Sequence, residues 1–125
     1  MTDQTWQVRL PLAKPLSMNS RQHWRARARD VQKVRGDALL VLRSARIPRH
    51  EKILVELIYY PRDRRKRDAD NIVPTLKASC DAIVDAQIVP DDDPAHMVKM
   101  MPVIEAPDGD PRLVLTITGL VQVAA

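Results

Sequence analysis

Eight residues, Ile53 to Tyr60, read ILVELIYY and are apolar or aromatic at every position but Glu56. β-Branched and aromatic side chains favour extended backbone. A strand with almost no polar alternation needs cover on both faces, which places it in the middle of a sheet. Pro61 ends it, because proline has no N–H to give a ladder. The rest of the chain must supply neighbours and cover for this strand.

Before it, Trp6, Val8, Leu10 and Leu12 alternate with Gln7, Arg9 and Pro11, and period two predicts a first strand. Pro15 to Ser20 is rich in breakers and reads as a loop. From Trp24 the period changes. Trp24, Ala28, Val31, Val34, Ala38, Leu42 and Ala45 make one apolar stripe on a helix of about twenty residues. Ile47-Pro48 is its expected stop. Asn71 to Gln87 predicts a second helix, with Asn71 as N-cap and Leu76, Cys80, Ile83, Val84 and Gln87 on one face. Pro74 then falls at the third helical position, where its missing N–H is not needed. His96 to Ile104 and Arg112 to Val123 are strand candidates, separated by the turn-rich Glu105 to Pro111. Leu113, Leu115, Ile117, Val121 and Val123 share one face of the last of these. The order β-α-β-α-β-β over residues 1–125 predicts one small α+β domain, a mixed sheet with helices packed on it.

Composition removes several classes. A single cysteine, Cys80, excludes an internal disulfide and a Cys-based zinc ribbon, and it reads as buried and inert. Two Trp, two Tyr and no Phe argue against a multi-aromatic base-stacking platform. The longest uncharged run, Leu113 to Ala125, is too short to cross about 30 Å of hydrocarbon as a helix. Met1 to Leu12 has no apolar stretch of signal-peptide length. The expectation is a cytoplasmic protein with no membrane partner. His23, His50 and His96 have no spacing that suggests a shared metal. Met97, Met100 and Met101 read as core filling.

The net charge of +4 hides an uneven distribution. Residues 1–67 hold 17 Lys and Arg against 6 Asp and Glu, whereas residues 68–125 hold 3 against 10. The sign changes between Arg67 and Asp68. A basic half points to nucleic acid or another anionic surface. Basic helix faces are often merely solvated. Here the Arg-rich helix, with Arg21, Arg25 and Arg29 at its start, is joined by the run Arg62 to Arg67. Phosphate binding is the better reading, with steep salt dependence and little base readout.

The chemistry candidate is RRKRDADN, Arg64 to Asn71, taken with Asp91 to Asp93. Hydrolysing a phosphodiester needs an activated water and relief of phosphoryl charge. A hard cation such as Mg²⁺ supplies both, held by a few carboxylates, waters and substrate oxygens. Asp68 and Asp70 project together if the chain is extended there. A helix from Asn71 to Gln87 is about 25 Å long, so the chain must turn back for Asp91–Asp93 to reach Asp70. Six extended residues span roughly 20 Å, so that reach is nearly taut. A helix ending near Val84, or a site completed by a partner subunit, eases it. Two plainer readings stand beside this one: Asp70-Asn71 as a helix cap, and Asp91–Asp93 as a solvated turn. A calcium EF-hand fails, because its glycine would fall on Val73 and its terminal Glu on Ser79. Lys77 is either an exposed ion pair to Asp81 or a cation over the scissile phosphate.

RRKRDADN, then LKASCDAIVDAQIV, then PDDDP, with PLSMNSRQHW earlier, resembles the RusA-type Holliday-junction resolvases, many of them phage-encoded. The resemblance covers most of the chain and is densest from Arg64 to Asp93. It implies a homodimeric, Mg²⁺-dependent endodeoxyribonuclease, with Mn²⁺ as a possible substitute. Such an enzyme nicks two strands symmetrically at a four-way DNA junction, in recombination and repair. Asp68, Asp70 and one Asp of the later pair match the family's acidic site. Asp92 is the favoured third member, Asp91 the next, and Asp93 takes the variable position. Arg64, Arg65, Lys66, Arg67 and Asn71 fall where DNA is contacted, and Lys77 is the candidate catalytic lysine. One position departs from the pattern. The family's lysine, three residues after the Asn, is Pro74 here, and Lys77 stands one turn later. Either the helix is entered about a turn earlier, or Lys77 is displaced by around 5 Å. The reading from another class is a non-catalytic DNA-binding module that uses the basic helix. Such a module has no use for three carboxylates.

Overall fold

In the computed structural model, which describes residues 4–16 and 24–120, the ILVELIYY strand is paired along both edges. In chain order the elements are β1 Thr5–Arg9, α1 Trp24–Ala45, β2 Ile53–Tyr60, a 3-10 turn Ala69–Ile72 and α2 Val73–Asp85. They continue with β3 Met97–Lys99, β4 Val103–Ile104 and β5 Arg112–Gly119. β5 runs antiparallel along all of β2, Ile53 opposite Gly119 and Tyr60 opposite Arg112. β1 pairs antiparallel with the outer edge of β5. β3 and β4 lie end to end along the other edge of β2 and run parallel to it. The protein is a small α+β domain with a mixed sheet, as the sequence predicts.

The helices explain the direction of β3. A parallel neighbour requires a crossover, and α2 is that crossover between β2 and β3. α1 and α2 share one core with the strands, in which Ala38, Leu42, Leu76 and Ile83 meet Val55, Leu57, Leu115 and Ile117. Arg35 of α1 fixes the helix pair, donating to both carboxylate oxygens of Asp85 at 2.6 and 2.8 Å.

Packing changes several readings. β2 alternates: Ile53, Val55, Leu57 and Tyr59 are buried, whereas Leu54, Glu56, Ile58 and Tyr60 are only half-buried. Its apolar run therefore has one fully packed face. The α1 stripe packs only in its later half, at Val34, Ala38 and Leu42. Ala28 is exposed and Trp24 is 67% exposed, because the first turns of α1 extend beyond the sheet's cover. The helix stops at Ala45, and Arg46 turns the chain at φ 52°, ahead of Pro48. α2 ends similarly. Gln87 has φ 62°, its N–H donates to Val84 O, and Ile88 N–H donates to Ile83 O. This left-handed cap turns Gln87 out to solvent, off the buried face expected for it, and buries Ile88 in its place.

The strand expected over His96–Ile104 is two short strands. Pro102, without an N–H, falls between them. Met97 is buried as expected, but Met100 and Met101 are 47% and 59% exposed at this outer edge. Leu10 extends the first strand by one bond to Leu113 O, and Leu12 lies beyond it. Val121 and Val123, expected in the last strand, lie outside the described residues. No helix among the described residues is long and apolar enough to cross a membrane.

Leu42 tests this core. Leu42→Ala, at a side chain 1% exposed, is expected to destabilise the fold by about 2–5 kcal/mol. Leu40→Ala, 64% exposed on the same helix, is expected to stay within about 0.5 kcal/mol. Urea unfolding reads both as a shift in midpoint at unchanged slope.

Candidate metal and nucleic-acid site

β2 ends at Pro61, and the basic run follows without regular structure. Asp63 organises it. Arg67 donates to Asp63 Oδ1 at 2.8 Å, to the Asp63 carbonyl at 2.8 Å and to the Arg65 carbonyl at 3.0 Å. The Arg65 N–H donates to the same carboxylate at 3.1 Å, and its guanidinium lies 3.3 Å away. These donors, Arg67 first, hold the Asp63 carboxyl below the usual carboxylate range. Arg67 also lies over the Tyr59 ring, 5.8 Å from its centre. Arg67, expected to contact phosphate, thus straps the run onto the end of β2. Arg64 and Lys66 are exposed and form no ion pair among the described residues. Arg65 keeps 67% of its side chain exposed.

The acidic pair follows directly. Asp68 is extended, at φ −106° and ψ 135°, and its carboxylate caps nothing. Asp70 sits inside the 3-10 turn, so the chain is extended at Asp68 but not through Asp70. The extended Asp68-x-Asp70 segment on which a shared direction was expected is therefore not formed. Asn71 is also inside the turn, donating its N–H to Asp68 O at 3.1 Å, so it is not the N-cap of α2. Helical winding begins at Ala69, and Pro74 enters α2 in its first positions. Asp68 and Asp70 are both exposed, and neither carboxylate has a cation partner among the described residues.

The later acidic loop does turn back along α2. Lys77 lies 3.4 Å from Asp81 and 3.8 Å from Asp92, so the ion pair and the contact with the loop are both present. Lys99 on β3 donates to Asp92 at 3.3 Å. The Lys99 hydrogen bond is the main reason the Asp92 carboxyl lies below its ordinary range, and the Lys77 charge adds to it. Asp91 accepts the Asp92 N–H at 2.7 Å. Asp93 builds the turn, pairing with His96 Nδ1 at 2.6 Å. Beneath this loop Cys80 is buried, its thiol pushed up to about 12 by that burial, as an inert cysteine requires.

Asp68, Asn71, Arg65, Lys66 and Arg67 line one groove, which Lys14 and Leu16 close from the loop after β1. Asp92 and Lys77 form a separate contact with Lys99. Among the described residues no group of three or more His, Cys, Asp or Glu comes close enough to hold a metal ion. Arg25, its guanidinium 5.2 Å from the Trp24 ring centre, and Arg29 lie on the exposed start of α1; Arg21 lies outside the described residues. Sequence reasoning missed Lys99, Lys14, Asp63 and Tyr59. Only Asp63 carried a signal, as the lone acid inside five cations. The others acquire their roles through chain crossings that no local pattern encodes.

The residues fit a hard divalent cation in donor chemistry. Mg²⁺ is commonly held by one or two carboxylates with waters and substrate oxygens, and two exposed carboxylates without cation partners stand at Asp68 and Asp70.

No family model matches the chain. It is 31% identical over 119 residues to an uncharacterized protein of Xylella fastidiosa strain Temecula1, a match spanning 90% of this chain and 75% of that protein.

Lys99→Met tests the Asp92 contact. The Asp92 carboxyl is expected to titrate higher in the variant, read by carbon NMR of its carboxyl resonance. A lowered folded pKa stabilises above the unfolded value of about 3.9 and stops doing so as pH falls through the folded value. The stability gap between wild type and variant is therefore expected to be present at pH 7 and to close below about pH 4.

Proposed function

We propose that this chain, which belongs to the family of the Xylella fastidiosa protein, is a divalent-metal-dependent endodeoxyribonuclease of the RusA type, on the strength of its own residues. Its substrate is branched DNA, a four-way junction, cut by paired nicks from a homodimer. One observation carries the reading. Two exposed carboxylates without cation partners among the described residues, Asp68 and Asp70, directly follow a run of cations, and Asp68 shares its groove with Arg65 and Lys66. Cations there attract a phosphate, and bare carboxylates repel it. The combination would serve DNA chemistry if a metal held by the carboxylates offset their charge.

Asp68 and Asp70 would hold Mg²⁺, with Asp92 or Asp91 as the later carboxylate, and Mn²⁺ suits the same oxygen donors. Such an ion, when bound, supplies an activated water and offsets phosphoryl charge. Arg64, Arg65 and Lys66 draw the phosphate backbone in. Lys77, 65% exposed, places an ammonium beside the acidic loop, where it offsets charge that builds on a nearby phosphate. A two-fold dimer would present two such sites to a roughly two-fold junction.

The second reading is a DNA-binding module, or a junction binder that does not cut. It is favoured by the pairing of Asp92 with two lysines and by the lack of a three-acid group among the described residues.

A synthetic four-way junction and a matching linear duplex, each incubated in Mg²⁺ and in EDTA, separate the two readings. Metal-dependent cleavage of the junction is expected, and binding without cleavage would sink the nuclease. Asp70→Asn is expected to retain binding while losing several kcal/mol of transition-state stabilisation, on the order of a thousandfold in rate. Normal cutting by that variant removes Asp70 from the site. Sizing at micromolar concentration is expected to give a dimer.

A further inference from the structure

The groove that holds Asp68 continues away from the acidic loop. Beyond Arg65 it runs between two walls. One is the basic run, with Arg62 and Arg65; the other is the segment 12–16 that follows β1, with Lys14. Tyr59 and the Arg67 guanidinium form its floor.

Both walls are anchored. Leu16 N–H donates at 2.9 Å to the hydroxyl of Thr75, a fully buried residue in the first turn of α2. Arg67 is fixed by Asp63, as described above. The cations at the rim have a different status. Lys14 is exposed with no ion pair among the described residues, and Arg62 and Arg65 keep 77% and 67% of their side chains exposed. An anchored groove with exposed cations on both rims suits a polyanionic strand, since phosphates need charge at intervals and little shape selection. Asp30 of α1 lines the far part of the groove, where its charge disfavours further phosphate.

We infer that this groove holds one sugar-phosphate strand of DNA leading to Asp68, with Lys14 and Arg65 contacting phosphates from opposite walls and Arg62 continuing the track. Arg67 acts here as a positioning residue. The inference rests on the DNA-binding part of the function proposed above and is independent of cleavage.

The test measures junction binding in EDTA over a series of salt concentrations, for wild type, Lys14→Ala, Arg65→Ala, the double variant and Arg49→Ala. Arg49 is exposed and precedes β2, at the opposite end of that strand from Tyr59. Each groove variant is expected to lower the slope of log affinity against log salt by about 0.7–0.9, and the double variant by about twice that. Lys14→Arg is expected to restore the wild-type slope, and Arg49→Ala to keep it. Groove variants with the wild-type slope, or an equal loss in Arg49→Ala, overturn the groove while DNA binding stands. Tighter binding of an RNA strand than of the same DNA strand overturns DNA as the occupant. No DNA binding by wild type overturns both the groove and the DNA reading. Expected slopes without Mg²⁺-dependent cutting support the groove and remove the nuclease.

Discussion

Pairing both edges of β2 is the constraint on which the rest depends. A buried strand cannot leave its N–H and C=O groups unpaired. β5 satisfies one edge antiparallel, and β3 with β4 satisfies the other in parallel. The parallel edge brings the chain back to the start of β2, where Met97 stands opposite Ile53. α2 makes that return and is itself the scaffold of the candidate site. The basic run and acidic pair therefore sit at the end of β2, and the Asp91–Asp93 loop arrives from the other end of α2.

That path explains why the acidic residues divide. The loop between Ile88, buried at the base of α2, and Met97, tied to β2, makes only a short excursion along the helix. It carries Asp92 to Lys77 and Lys99, and among the described residues no three acidic groups gather at one place. The extended reach of about 20 Å allowed for those residues assumes a straight chain. In the fold part of it goes into the left-handed turn at Gln87 and the burial of Ile88 and Val89. Charge is divided in a similar way at the basic run. Asp63 engages Arg67 and part of Arg65, and leaves Arg64 and Lys66 without ion pairs among the described residues.

Much of this was legible from residue order. β2 spans the residues its composition predicts, α1 begins at Trp24, and the element order matches apart from the break at Pro102. Trp24, Met100 and Met101 hold apolar positions, but whether such a position is covered depends on where neighbouring elements end; Gln87 is turned out by the left-handed cap of α2. Asp70 and Asn71 were read for an extended segment followed by an α-helix, and a 3-10 turn intervenes.

Residue order alone determined the strand that must be central, the two amphipathic helices and the meeting of opposite charges at Arg67 and Asp68. These depend on local period and on adjacency, which a sequence states directly. Only the tertiary structure decided which charges neutralise one another. Lys99 meets Asp92 and Arg35 holds Asp85, because sheet register and helix packing bring distant residues within a few ångströms. Electrostatic pairing falls off with distance in space, and separation along the chain does not measure that distance.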